Sequence, residues 1–132
     1  MGTMRLNGDF FTVTGQLPAG DGMVYGFRIK LNADHIIFKA HFPGFPVTPG
    51  VCLLQIVAEL ASEAYGKPLV IKHIKNVKFT GVVSPLQDSE LSVLYTGHTV
   101  ADDGSVKIQA LVTAVADPEK VFSKFSITLA ES

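Results

Sequence analysis

Apolar and polar residues alternate along most of the chain. Tyr25, Phe27, Ile29 and Leu31 alternate with Val24, Gly26, Arg28 and Lys30, and Leu91, Val93 and Tyr95 with Ser92, Leu94 and Thr96. The same period of two runs through Val106, Ile108, Ala110, Val112 and Ala114, and through Val121, Phe125, Ile127 and Leu129. A further β-rich run covers residues 69–83. Turn-forming residues separate these runs at 18–22, at Asp102-Asp103-Gly104 and at Asp117-Pro118. The alternation predicts strands in an antiparallel sheet with one covered face.

One stretch breaks the pattern. From Pro49 to about Tyr65 the apolar residues Val51, Leu53, Leu54, Ile56, Val57, Ala58, Leu60, Ala61 and Ala64 occupy most of a helical circumference. That is the signature of a buried helix. Thr48 is the expected N-cap, Pro49 the first helical residue, and Gly66 with Pro68 the stop. The polar residues of this helix, Gln55, Glu59, Ser62 and Glu63, fall on one narrow stripe. One helix wrapped by one curved antiparallel sheet is an α+β architecture, expected as a single domain over residues 1–132.

Composition narrows the picture. Charged residues make up 17% of the chain, against a usual ~25%, which suits a surface partly covered by another subunit. Eleven Lys and Arg against twelve Asp and Glu give a net charge of −1, so phosphate-driven nucleic-acid binding is not expected. Cys52 is the single cysteine, so no intrachain disulfide can form and a reducing compartment is expected. The N-terminus reads neither as a signal peptide nor, with Leu6 where Ser or Thr is needed, as a myristoylation site. The uncharged stretch 42–58 is interrupted by Pro43, Pro46 and Pro49, too often to span a bilayer. A cytoplasmic protein acting away from membranes is expected.

The chemistry concentrates in His41-Phe42-Pro43-Gly44-Phe45-Pro46-Val47-Thr48-Pro49-Gly50. Three prolines stiffen a loop that sets a titratable side chain, His41, close to a helix start. Gly50 is read as the second helical residue, where an N–H has no intrahelical acceptor and faces the positive end of the helix dipole. A base beside an oxyanion donor is the equipment for removing a proton next to a carbonyl.

His41-Phe42-Pro43-Gly44, Pro46-Val47 and Pro49-Gly50-Val51 resemble the signature of the 3-hydroxyacyl-acyl carrier protein dehydratases. A weaker second match is Lys78-Phe79, Val82-Val83, Pro85 and Asp88-Ser89-Glu90-Leu91, with Pro85-Leu86-Gln87-Asp88 one residue longer than the Pro-Gly-Asp usual there. The resemblance implies a hot-dog fold acting at least as a dimer, homomeric or with another hot-dog chain. It implies as substrate an acyl thioester on acyl carrier protein, and as reaction the reversible loss of water from a 3-hydroxyacyl group in fatty acid, polyketide or aryl-polyene lipid synthesis. His41 would then take the C2 proton and the Gly50 N–H would polarise the thioester carbonyl. An acid on the partner's helix would protonate the departing hydroxyl. Val51, Phe42, Phe45 and Phe79 would join Gly50 in binding substrate, with Phe38 as a further candidate wall of the acyl tunnel. No cofactor is implied.

The acid position, fourteen residues after His41, holds Gln55. A glutamine amide donates no proton at physiological pH but can hydrogen-bond a hydroxyl. Glu59 lies one turn on, roughly 6 Å along the axis at ~1.5 Å per residue. Three readings stay open: Glu59 acts as the acid in a remodelled site; a different partner chain supplies the acid opposite His41; or the chain binds or hydrolyses acyl thioesters without dehydrating them.

The remaining candidates have plainer readings. Cys52 near the helix start is read as an apolar filler rather than a nucleophile. Glu63 is read as solvated, and His35, His73 and His98 as structural or exposed, without metal-binding spacing. No P-loop, GxGxxG, GxSxG or zinc motif occurs, and no metal site is expected.

Overall fold

The computed structural model describes residues 6–20, 22–40, 44 and 46–131. The chain runs β1 (Phe11–Leu17), β2 (Tyr25–Leu31), α1 (Ile36–Ala40), α2 (Gly50–Tyr65), β3 (Leu69–Phe79), β4 (Glu90–Val100), β5 (Val106–Ala114) and β6 (Val121–Glu131). All six strands form one antiparallel sheet in the order β1-β2-β4-β5-β6-β3, with α2 against its inner face. This is the α+β hot-dog arrangement, a curved sheet around one long helix.

The predicted alternation holds in β2 and the first half of β5, while Leu91, Ser92 and Val93 of β4 are all buried. Phe27, Ile29 and Leu31 are buried while Arg28 and Lys30 are exposed, and Val106, Ile108 and Ala110 are buried around exposed Lys107 and Gln109. In β6 a register irregularity opposite Val112/Thr113 lets Phe122 and Ser123 both face inward. From the helix, Leu53, Ile56, Val57, Leu60 and Ala61 enter the same core. The Tyr95 hydroxyl on β4 donates to the Val57 carbonyl at 2.5 Å, which ties the sheet to the middle of α2.

The helix stops as expected. Gly66 takes the left-handed conformation (φ 82°) and its N–H reaches the Ser62 carbonyl at 2.9 Å. The Ser62 hydroxyl then accepts the Leu69 N–H at 3.0 Å, which starts β3 directly from the helix end.

The start differs from expectation. Pro49 is the N-cap (φ −60°, ψ 144°) and Gly50 the first helical residue, so each position is shifted by one. Thr48 does not cap: its hydroxyl is buried and, among the described residues, has no hydrogen-bond partner, while its N–H is committed to the Val83 carbonyl at 2.8 Å.

Two elements carried no sequence signal. β1 is an edge strand with only Phe11 buried and a bulge between Val13 and Gly15, so it shows no alternation. α1 is too short to show a helical period. The 69–83 run also ends earlier, at Phe79, and only Leu69 within β3 is buried because that strand is the other sheet edge.

Candidate active site

The first turn of α2 is left open. Cys52 and Leu53 send their N–H groups to the Pro49 carbonyl at 3.0 and 3.3 Å. Among the described residues, the N–H groups of Gly50 and Val51 have no acceptor. Two unpaired donors at the positive end of a sixteen-residue helix can stabilise a developing oxyanion.

Gly50 makes room there in a way the sequence did not show. A Cβ on Gly50 would lie 2.6 Å from Cζ of Phe79, so the ring fills the space above it. Phe79 packs edge-on against Phe125 at 6.0 Å and is half exposed. Val51 is 71% exposed and Val82 66% exposed. Val82 precedes Val83, whose carbonyl holds Thr48, so these apolar side chains surround the helix start. His41, Phe42 and Phe45 lie outside the described residues.

Gln55 and Glu59 are joined. Nε2 of Gln55 donates to Oε2 of Glu59 at 2.9 Å, one helical turn apart. The same Oε2 accepts the Leu6 N–H at 2.7 Å, and Oε1 accepts the Asn7 N–H at 2.8 Å. The carboxylate is therefore gripped by the main chain of the N-terminal segment. Sequence reasoning missed these partners because main-chain donors leave no mark in residue type. Further along the stripe, Ser62 serves the helix end and Glu63 is exposed.

The other candidates resolve into packing. Cys52 is buried and burial pushes its thiol up, opposite to what a nucleophile needs. Phe38 sits in the core, stacked on Phe10 at 4.8 Å. His35 lies 3.1 Å from Asp9 and accepts the Ile37 N–H at the start of α1. His98 pairs with the Tyr25 hydroxyl at 2.7 Å, and burial lowers the ring from its ordinary value. Among the described residues no three metal-ligating side chains cluster, and no helix is long and apolar enough to cross a membrane.

A family model for ApeI-like dehydratases (ApeI dehydratase) matches residues 20–113, from the approach to β2 through most of β5. The chain belongs to the ApeI-like dehydratase family. Its similarity extends to curated 3-hydroxyacyl-[acyl-carrier-protein] dehydratases FabZ. The one from Lactiplantibacillus plantarum is 31% identical over 104 residues, covering 74% of this chain and 69% of its own. That from Lactobacillus helveticus is 33% identical over 111 residues, covering 78% and 72%. Among solved structures, the dehydratase heterocomplex ApeI:P from Xenorhabdus doucetiae aligns over 90% of this chain and 96% of its own, with TM-score 0.64 at 17% identity. An uncharacterized protein from Erwinia carotovora aligns over 90% and 94%, with TM-score 0.60 at 20% identity. At those identities the structural matches speak for the hot-dog fold. This ApeI-like chain thus has the fold and lineage of a hydro-lyase.

Proposed function

We propose that the chain is a 3-hydroxyacyl-acyl carrier protein dehydratase subunit that works opposite a second hot-dog chain supplying the acid. His41 takes the C2 proton of the acyl thioester, and the Gly50 N–H takes up the charge that develops on the thioester oxygen. The C3–O bond breaks as the partner's acid protonates the hydroxyl, and water leaves with the double bond between C2 and C3. Val51 and Phe79, with Phe42 and Phe45, hold the acyl chain. The setting is the cytoplasm.

The observation that carries this reading is how Glu59 is used. Its oxygens accept the Leu6 and Asn7 N–H groups and the Gln55 amide, so this carboxylate is bound into the fold. With Gln55 at the acid position, the proton donor has to come from outside the chain. The Xenorhabdus neighbour is a dehydratase heterocomplex, and pairing with an unlike chain is part of the same reading. The apolar residues around the helix start suit a surface that another subunit covers.

The test is a dehydration assay on a 3-hydroxyacyl-acyl carrier protein. The chain purified alone is expected to be nearly inert. Gln55→Glu is expected to raise the rate by ~10²–10⁴-fold, the usual contribution of a placed general acid. The new carboxyl would sit one turn from Glu59, and like charge keeps such a group protonated. Full activity of the wild type alone, lost in Glu59→Gln, would make Glu59 the acid and overturn the partner requirement. Release of free thiol without an enoyl product would mark a thioesterase instead.

A further inference from the structure

Glu59 makes a grip that only a carboxylate can make. Leu6 and Asn7 are consecutive, and each N–H points at a different oxygen, at 2.7 and 2.8 Å. Both positions of the acceptor must therefore be oxygen. A glutamine at 59 would set its NH₂ against one of the two N–H groups, whichever way it turned. The donors are themselves held firmly. Leu6 is buried, and its carbonyl collects the N–H groups of Asp9, Phe10 and Phe11 at 3.1, 2.8 and 3.3 Å, with Phe10 and Phe11 in the core.

An ionised carboxylate accepts only. Gln55 must therefore turn its nitrogen toward Glu59, as the 2.9 Å contact has it, and its Oε1 faces away from Glu59. A carbonyl oxygen has two lone pairs, so it can accept a hydrogen bond from a hydroxyl beside any bond it already makes. We propose that Glu59 is a positioning residue that fixes the polarity of position 55, so that a ligand meets an oxygen there. The site then favours a 3-hydroxyacyl thioester, whose C3 oxygen donates, over a 3-oxoacyl thioester, whose C3 oxygen only accepts. This rests on the reading above: where the chain pairs with itself, Gln55 of the second copy stands where the partner's acid would face the C3 oxygen of the acyl group.

The experiment measures binding of 3-hydroxyacyl-, 3-oxoacyl- and saturated acyl-pantetheine of one chain length to the full chain, by calorimetry. Wild type is expected to prefer the 3-hydroxyacyl over the 3-oxoacyl compound by about two- to tenfold, the worth of one neutral hydrogen bond. Glu59→Gln is expected to lose that preference and to speed deuterium exchange at the Leu6 and Asn7 amides, with saturated acyl binding unchanged. Glu59→Asp, which keeps the carboxylate, is expected to restore part of the preference. Gln55→Ala leaves Glu59 both main-chain donors, so it preserves the fold and is expected to lose the preference as well. A preference that survives Glu59→Gln while those amides exchange faster, or that survives Gln55→Ala, overturns the proposal. Equal wild-type binding of both compounds overturns it too and leaves the dehydratase reading intact. Failure to bind any of the three thioesters overturns both.

Discussion

Gly50 shows how one position serves two demands. Its N–H is an open donor at the head of α2, and its missing side chain makes room for the Phe79 ring. Gly50→Ala would drive a methyl to 2.6 Å from Cζ of that ring. Phe79 is half exposed and can swing outward, so the cost should fall at the low end of the overpacking range, about 1 kcal/mol. Thermal unfolding should show that loss, and Phe79→Ala in the same chain should largely cancel it, since the two residues are in contact. Independent, additive losses would mean that the ring is not what Gly50 accommodates. Gln55 and Glu59 were both legible as polar residues on an apolar helix. That Glu59 faces main-chain donors was not, because Leu6 and Asn7 lie 53 and 52 residues away and contribute no side-chain chemistry.

At the scale of elements, the long helix and the central strands were legible because each buries a regular face. Of the edge elements, β3 was legible only as a β-rich run over 69–83 and β1 not at all: both pair on one side only and leave most side chains in solvent, so no period marks them. The far end of α2 is joined to the sheet through His98 of β4. Its ring stacks on Tyr65 at 6.0 Å and its Nδ1 lies 2.7 Å from the Tyr25 hydroxyl of β2. Burial raises Tyr25 and lowers His98, so the hydroxyl stays a donor and the ring stays neutral. A histidine lowered by folding binds its proton first in the unfolded chain. Stability on this account is complete above the unfolded value of ~6.5 and declines as pH falls below it. The wild-type unfolding midpoint should therefore drop between pH 7 and about 5, and His98→Gln should drop less. Equal drops in the two proteins would show that His98 does not set the acid-side slope.

For the whole molecule, the sheet packs on α2 but leaves several large apolar side chains uncovered. Val51, Val82 and Leu86 are each about two-thirds exposed or more, and Phe79 is half exposed. A partner that buries Val82 would gain about 1.5–3 kcal/mol from that side chain alone. Val82→Glu should then weaken association by at least about tenfold. Light scattering across a concentration series would read it as a shift from dimer or larger toward monomer. An unchanged mass would place the partner elsewhere on the surface.

Sequence alone determined the elements that bury a periodic face, the loop of prolines before the helix, and the pair of polar residues Gln55 and Glu59 on an apolar helix. These are local properties, fixed by residue type and spacing. Tertiary structure decided that β1 and β3 are the sheet edges, that Phe79 lies over Gly50, and that Glu59 is held by the amides of Leu6 and Asn7. Those facts depend on which distant backbones meet, and a hydrogen bond to a main-chain N–H is blind to the identity of the residue that carries it.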